Sequence, residues 1–143
     1  MQKLLTPLLF VLFFNAPALA GSVENVFRSI SILANIGEVL YTMEKTETFT
    51  STTAQFDSLA SQYKLAYKIG NNYKTREIKK KLGRKFLKEW KKNMKAVKII
   101  SGYYTKIQKL KSGQTLSNKE ISKSASAMRA IEDFRLFYIK WRQ

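Results

Sequence analysis

Few residues in this 143-residue sequence are of the types that usually carry out catalysis. The sequence contains no cysteine and no histidine, which excludes thiolate chemistry, Cys/His zinc sites and histidine general-base catalysis. The nearest approach to paired carboxylates is Glu132-Asp133, but adjacent side chains on a helix point about 100° apart. Glu89 can be neutralised by Lys85 or Lys92, which favours an exposed ion pair over a general acid. There is also no Gly-rich phosphate loop or metal-ligand series, so we predict a non-enzymatic protein without cofactor or metal.

The chemistry that the sequence does support is electrostatic attraction. The stretch from Lys74 to Lys111 has 15 Lys and Arg residues against two acids, a local net charge of +13 in a chain of +16. On a helix, its apolar residues fall on one face and most of its basic residues on the opposite face, although Lys79 and Lys111 break this pattern. We therefore predict an amphipathic helix that packs inward, with Phe86 and Trp90 as core anchors, and presents cations outward. The residues predicted on the inward face are Ile78, Leu82, Phe86, Trp90, Met94, Val97, Ile100, Tyr104 and Ile107.

A net charge this far from zero predicts an anionic partner. The candidates are an envelope protein with an acidic surface, a lipid headgroup and an acidic glycan. Nucleic acid is a weaker candidate, because Phe86 and Trp90 lie on the inward face and cannot stack on bases there. No small-molecule substrate is expected, and the alternative is a basic surface that is only solvated. The residues predicted to bind the anionic partner are Arg84, Lys88, Lys91, Lys92 and Lys95.

Two helical segments precede the basic stretch. Apolar residues recur at steps of three and four from Ser22 to about Lys45, and again from about Thr53 to Ile69. Gly70-Asn71-Asn72 then favours a left-handed cap that ends the second segment. Gly37 lies on the apolar face of the first segment, where it either allows another helix to approach closely or only weakens the helix.

The basic segment can begin at Thr75 and continue to about Lys111. Gly83 and Gly102 each weaken such a helix, and the sequence leaves open whether it kinks or breaks near Ser101-Gly102. Ser117-Asn118-Lys119-Glu120 is a capping box between apolar neighbours, which predicts a fourth helix that runs to the aromatic C-terminus. The expected fold class is all-α, either a four-helix bundle or paired helical hairpins, with one long basic amphipathic helix.

Residues 1–20 have the pattern of a secretory signal peptide. Lys3 precedes an apolar run at 4–14, and Ala18-Leu19-Ala20 offers small residues for cleavage before Gly21. The run is only about half as long as a membrane-spanning helix, and no cysteine follows it for lipid attachment. We predict export to a bacterial periplasm or the cell exterior, with a single helical domain at 21–143.

The expected architecture combines a cleaved signal, an amphipathic first helix, the segment LASQYKLAYKI at 59–69 and a long lysine-rich helix with Tyr103-Tyr104. It resembles in outline the small periplasmic helical proteins of conjugative and type IV secretion systems, the TrbJ-like proteins and pilus-tip adaptors. The likeness covers most of the chain in architecture and transfers no functional residue. It implies a non-enzymatic assembly or adhesion role in an envelope apparatus. The alternative function is a cationic effector that binds anionic membranes or lipopolysaccharide.

Overall fold

The computed structural model describes residues 21–45 and 53–143 of the chain. Within these ranges there are four helices and no strands, so the predicted all-α four-helix fold is confirmed. None of these helices combines the length and the apolar character needed to cross a membrane. The signal peptide predicted at 1–20 and the connection at 46–52 lie outside the described residues. The helices are α1 (Ser22–Lys45), α2 (Thr53–Asn71), α3 (Thr75–Lys109) and α4 (Asn118–Arg142).

The helices pack in the order in which they occur along the chain. α1 lies against α2, α2 against α3, and α3 against α4. α1 also meets α4 through Phe27 and Tyr138, whose ring centroids are 6.5 Å apart. The connections at 72–74 and 110–117 are short, and connections of such length place successive helices side by side.

Two clusters of buried side chains fill the interior. The first joins α1, α2 and the second half of α3 around Tyr63 and Ile100. The second lies beneath the first half of α3 around Phe86 and Trp90, neither of which has exposed surface. Phe134 of α4 packs on both, with ring centroids 6.0 Å from Phe86 and 5.4 Å from Trp90. The two predicted core anchors of α3 are therefore confirmed, and burial of a side chain of this kind contributes about 1.5–3 kcal/mol.

A close contact between three helices occurs at Gly70, near the end of α2. A Cβ atom at this position would lie 2.6 Å from Sδ of Met94 in α3 and 2.8 Å from Oγ of Ser29 in α1. The Ser29 hydroxyl in turn donates a 2.8 Å hydrogen bond to the carbonyl oxygen of Ala66. Glycine suits position 70 because it has no Cβ atom, which leaves room for the side chains of Met94 and Ser29.

Two sequence predictions concern glycines. The helix α2 ends at Asn71, within the segment Gly70-Asn71-Asn72 that was predicted to stop it, and Gly70 itself has no positive φ, which among the described glycines occurs only at Gly83 and Gly113. Gly37 was a candidate for close helix approach, yet a Cβ atom there would meet nothing within 4 Å. The close approach exists, but it occurs at a different glycine.

α3 departs from helical geometry at Gly83, where φ is 89° and ψ is 166°. A left-handed φ of this size is strained for any residue with a Cβ atom. Gly83 divides α3 into a first limb, residues 75–82, and a second limb, residues 84–109. The second limb continues through Gly102 without interruption, so the question of a break near Gly102, which the sequence left open, is answered: the kink lies 19 residues earlier.

The N-terminus of α4 has the predicted capping box. The backbone N–H of Glu120 donates to Oγ of Ser117, and the backbone N–H of Ser117 donates to the Glu120 carboxylate. The carboxylate also forms an ion pair with Lys106 of α3. These contacts, with Lys106 the largest contributor, lower the pKa of Glu120 to about 2. The same side chain therefore begins α4 and joins it to α3.

Candidate anion-binding site on the kinked helix

The two faces predicted for α3 are both present. On the inward face Leu82 and Ile107 are half-buried, and the other predicted residues are buried. The basic residues predicted on the outward face are all exposed. They are Lys80, Lys81, Arg84, Lys85, Lys88, Lys91, Lys92, Lys95, Lys98, Lys106 and Lys109.

A shallow surface cleft of about 420 Å³, largely open to solvent, lies beside the Gly83 kink. Its lining comes from both limbs of α3, so the bend at Gly83 determines how the two sets of side chains face each other. Leu87 lines the cleft and is also buried in the second core cluster, which fixes that part of the cleft to the interior. The lining residues are Thr75, Lys79, Arg84, Leu87, Lys88 and Lys91.

Neither acid of α3 neutralises this cleft. Glu77 pairs with Lys81 at 3.4 Å, and Glu89 pairs with Lys92 at 3.1 Å. Both of these lysines lie outside the cleft lining. Uncompensated like charges that converge on one concavity produce a positive potential that attracts anions. Within 21–45 and 53–143, four cleft cations take part in no ion pair: Lys79, Arg84, Lys88 and Lys91.

The first limb of α3 is attached to the N-terminus of α1. The backbone N–H of Lys74 donates a 2.7 Å hydrogen bond to Oγ of Ser22. Partial burial opposes ionisation of Glu77, but hydrogen bonds from Ser22 and Lys81 outweigh this effect and lower its pKa. Glu77 is therefore held as a carboxylate that joins the first limb to α1, and this attachment positions one wall of the cleft.

The cleft contains three of the five residues that the sequence predicted to bind a partner. Arg84, Lys88 and Lys91 line it. Lys92 lies outside and hydrogen-bonds Glu89, whereas Lys95 is exposed on the same helix beyond the cleft. The structure therefore groups three of these cations, and the role of all five in binding stays a prediction.

Three cleft residues, Thr75, Lys79 and Leu87, were not predicted as site residues. Lys79 did not fit the outward face of an uninterrupted helix, because the kink at Gly83 changes the angular relation between the two limbs. Lys79 departs from the outward face and lies four residues before Gly83. This departure was the signal in the sequence that a kink could bring Lys79 into the site. No comparable signal in the sequence pointed to Thr75 or Leu87.

Two titratable groups away from the cleft, Glu132 and Tyr63, have structural partners. Glu132 accepts hydrogen bonds from Arg135, which lower its pKa. Burial raises the pKa of Tyr63, whose hydroxyl lies 3.6 Å from Sδ of Met128 and donates to it. The described ranges contain no group of His, Cys, Asp and Glu side chains that could hold a metal ion.

Comparison with protein-family profiles, with curated proteins and with solved structures gives no significant match. The chain is thus characterised by its own structure, an all-helical fold with a cationic cleft at a kink in its basic helix. The resemblance to the TrbJ-like proteins and pilus-tip adaptors stays a prediction.

Proposed function

We propose that this is an exported, non-enzymatic binding or assembly protein whose basic α3 face docks an anionic partner in the bacterial envelope. The observation that carries the proposal is the group of four unpaired cations in the cleft at Gly83. The architectural resemblance suggests a conjugation or type IV secretion apparatus as the setting. The partner in that setting is an acidic envelope protein, a lipid headgroup or a glycan.

Such docking gains strength when several cations act on the same anionic group, and it gains speed from electrostatic attraction of the partner. A single exposed ion pair contributes only about 0.2–1 kcal/mol, so scattered lysines would bind weakly. Four cations directed at one anionic group act together, and their field also accelerates encounter with a negative partner. Because exposed charges are screened over about 8–10 Å at physiological salt, the binding should weaken as ionic strength rises.

The test compares two triple variants with the same change in net charge. Lys88→Glu, Lys91→Glu and Lys95→Glu reverse the α3 face, whereas the control reverses the exposed Lys64, Lys68 and Lys123 of α2 and α4. Binding is measured by titration against polyglutamate, heparin and vesicles that contain phosphatidylglycerol. These probes represent an acidic protein, an acidic glycan and an anionic membrane.

We expect the α3 variant to lose at least about tenfold in affinity for the preferred probe and the control to lose less than about threefold. Circular dichroism should show that both variants keep the helical fold, because the exchanged side chains are exposed. Equal losses in the two variants would mean that binding follows net charge alone. The basic surface would then be only solvated.

A second candidate function, a cationic effector of anionic membranes, is supported by α4. Leu136, Ile139 and Trp141 remain 46%, 42% and 38% exposed near the end of this helix, next to Lys140 and Arg142. Exposed apolar residues flanked by cations are typical of helices that lie in a membrane interface.

Dye leakage from phosphatidylglycerol vesicles distinguishes the two functions. Leakage that is lost in Leu136→Ser/Ile139→Ser would support the membrane effector. Binding to envelope components without leakage would support docking. Since Trp90 is fully buried, a blue shift of tryptophan fluorescence on membrane binding should come from Trp141 and disappear in Trp141→Phe, whereas its persistence would mean that the bundle opens.

A further inference from the structure

We propose that the cleft at Gly83 is a binding site for a ligand that carries two or more phosphate groups. The inference rests on the proposed function and names the chemistry of the anionic partner. It concerns the cleft cations alone, not the whole basic face of α3. The set of cleft cations is Lys79, Arg84, Lys88 and Lys91.

The charge of the cleft favours phosphate over carboxylate. A phosphate monoester carries about −1.5 to −2 at neutral pH, so two such groups balance the four cleft cations. Carboxylate side chains carry one charge each, so an acidic protein would have to direct four of them into the same small cleft.

The types of the lining side chains suit phosphate oxygens. The guanidinium of Arg84 has a planar set of donors that can bind two oxygens of one phosphate. Lys79, Lys88 and Lys91 supply compact positive charges, and the Thr75 hydroxyl is an additional donor on the cleft lining.

The two limbs of α3 are held in place by contacts that require no ligand. Ser22 accepts a hydrogen bond from the backbone of Lys74 and fixes the start of the first limb. Phe86 and Trp90 anchor the second limb in the core. The backbone positions that carry the four cations are therefore set before a ligand arrives, and repulsion between the cations is relieved when phosphate binds.

The first measurement is calorimetric titration of the purified protein with pyrophosphate, orthophosphate and citrate at constant ionic strength. We expect pyrophosphate to bind at least about tenfold more tightly than citrate, a tricarboxylate of comparable charge. Citrate binding as tight as pyrophosphate binding would overturn the assignment to phosphate.

Two quadruple variants then separate the cleft from the rest of the face. The cleft variant changes Lys79, Arg84, Lys88 and Lys91 to Gln. The control changes Lys80, Lys85, Lys98 and Lys109 to Gln, which are exposed lysines of the same helix outside the cleft and outside the five predicted binding residues. We expect the cleft variant to abolish pyrophosphate binding and the control to retain it within about threefold.

The cleft variant should also unfold at a higher temperature than the native chain when no phosphate is present, because repulsion between the four cations is removed. The control variant should show a smaller rise in Tm. A lower Tm for the cleft variant would contradict the proposal, because the four cations would then be stabilising the free fold.

Gly83→Ala tests the geometry with every charge retained. Because φ at Gly83 is 89°, alanine is strained there, and the limbs should reorient and weaken pyrophosphate binding about tenfold or more. Native affinity in a folded Gly83→Ala variant would overturn the role of the kink. If this variant does not fold, the pair of Gln variants decides the question.

The failure of this inference can be told from failure of the proposed function. Equal loss of binding in the cleft and control variants would overturn the cleft but leave docking by the whole face. Strong binding to polyglutamate without pyrophosphate binding would overturn only the phosphate assignment. Unchanged binding to every anion in both variants would overturn both.

Sedimentation with vesicles identifies the source of the phosphate. Vesicles with phosphatidic acid present a phosphate monoester, whereas those with phosphatidylglycerol present a diester of lower charge. Cleft-dependent preference for phosphatidic acid would assign the site to a lipid headgroup. Binding of pyrophosphate without binding to phosphatidic acid vesicles would assign it to a soluble phosphate compound, and both results support a phosphate site.

Discussion

Replacing Gly70 by alanine should destabilise the bundle, although alanine is the better helix former. The new Cβ atom would lie 2.6 Å from Sδ of Met94 and 2.8 Å from Oγ of Ser29. The thioether is flexible, but the Ser29 hydroxyl is fully buried and donates to the carbonyl oxygen of Ala66, so it cannot move without losing that bond. Overpacking of this kind costs about 1–3 kcal/mol, which exceeds the gain of at most about 1 kcal/mol from helix propensity.

Gly37→Ala is the matched control for this prediction. Gly37 lies within α1, and its Cβ atom would meet nothing within 4 Å, so alanine there should stabilise the protein by about 0.5–1 kcal/mol. The assay is urea unfolding followed by far-UV circular dichroism, with both variants measured beside the native chain. A Gly70→Ala variant as stable as Gly37→Ala would refute the close contact between α1, α2 and α3.

Three further predictions concern the core and the start of α4. Trp90→Ala should lower the free energy of unfolding by about 3–5 kcal/mol, because the ring is fully buried; a loss below about 1 kcal/mol would place it outside the core. Asn93→Leu should raise that free energy by about 1 kcal/mol or more in urea unfolding, because both side-chain polar atoms are buried without a partner among the described residues; a loss of stability would imply a partner such as buried water. Since Lys106 and Ser117 lower the pKa of Glu120 from 4.5 to about 2, its stabilising effect is present above pH 4.5 and is lost as pH falls toward 2. The urea midpoints of the native chain and Glu120→Gln should converge over this interval, and a constant difference would contradict the ion pair.

The four helices could be predicted because their signals are local in the sequence. Apolar spacing gave α1 from Ser22 to Lys45, the bounds found in the structure. The capping box at Ser117 and Glu120 placed the start of α4 within one residue. The same periodicity identified Phe86 as a core anchor, because a long helix with one apolar face has only one side to bury.

The position of the kink could not be predicted because it depends on contacts between distant segments. Gly83 and Gly102 have the same intrinsic propensity and lie on the same helix, so the sequence does not distinguish them. The limb before Gly83 is attached to Ser22 of α1, 61 residues earlier in the chain. Such a constraint becomes visible only when the helices are assembled. The composition of the cleft was missed for the same reason, since Lys79 joins Arg84 only through the bend.

The distribution of acids on α3 argues against a basic face that is only solvated. Glu77 and Glu89 are the two acids of α3, and each is paired with a lysine that does not line the cleft. Because exposed pairs three or four residues apart contribute a few tenths of a kcal/mol, acids placed opposite the cleft cations would have stabilised the free protein. Like charges that line one cleft without acidic partners lower the stability of the free protein, and an anionic ligand would restore that stability. Binding sites commonly have this cost in stability.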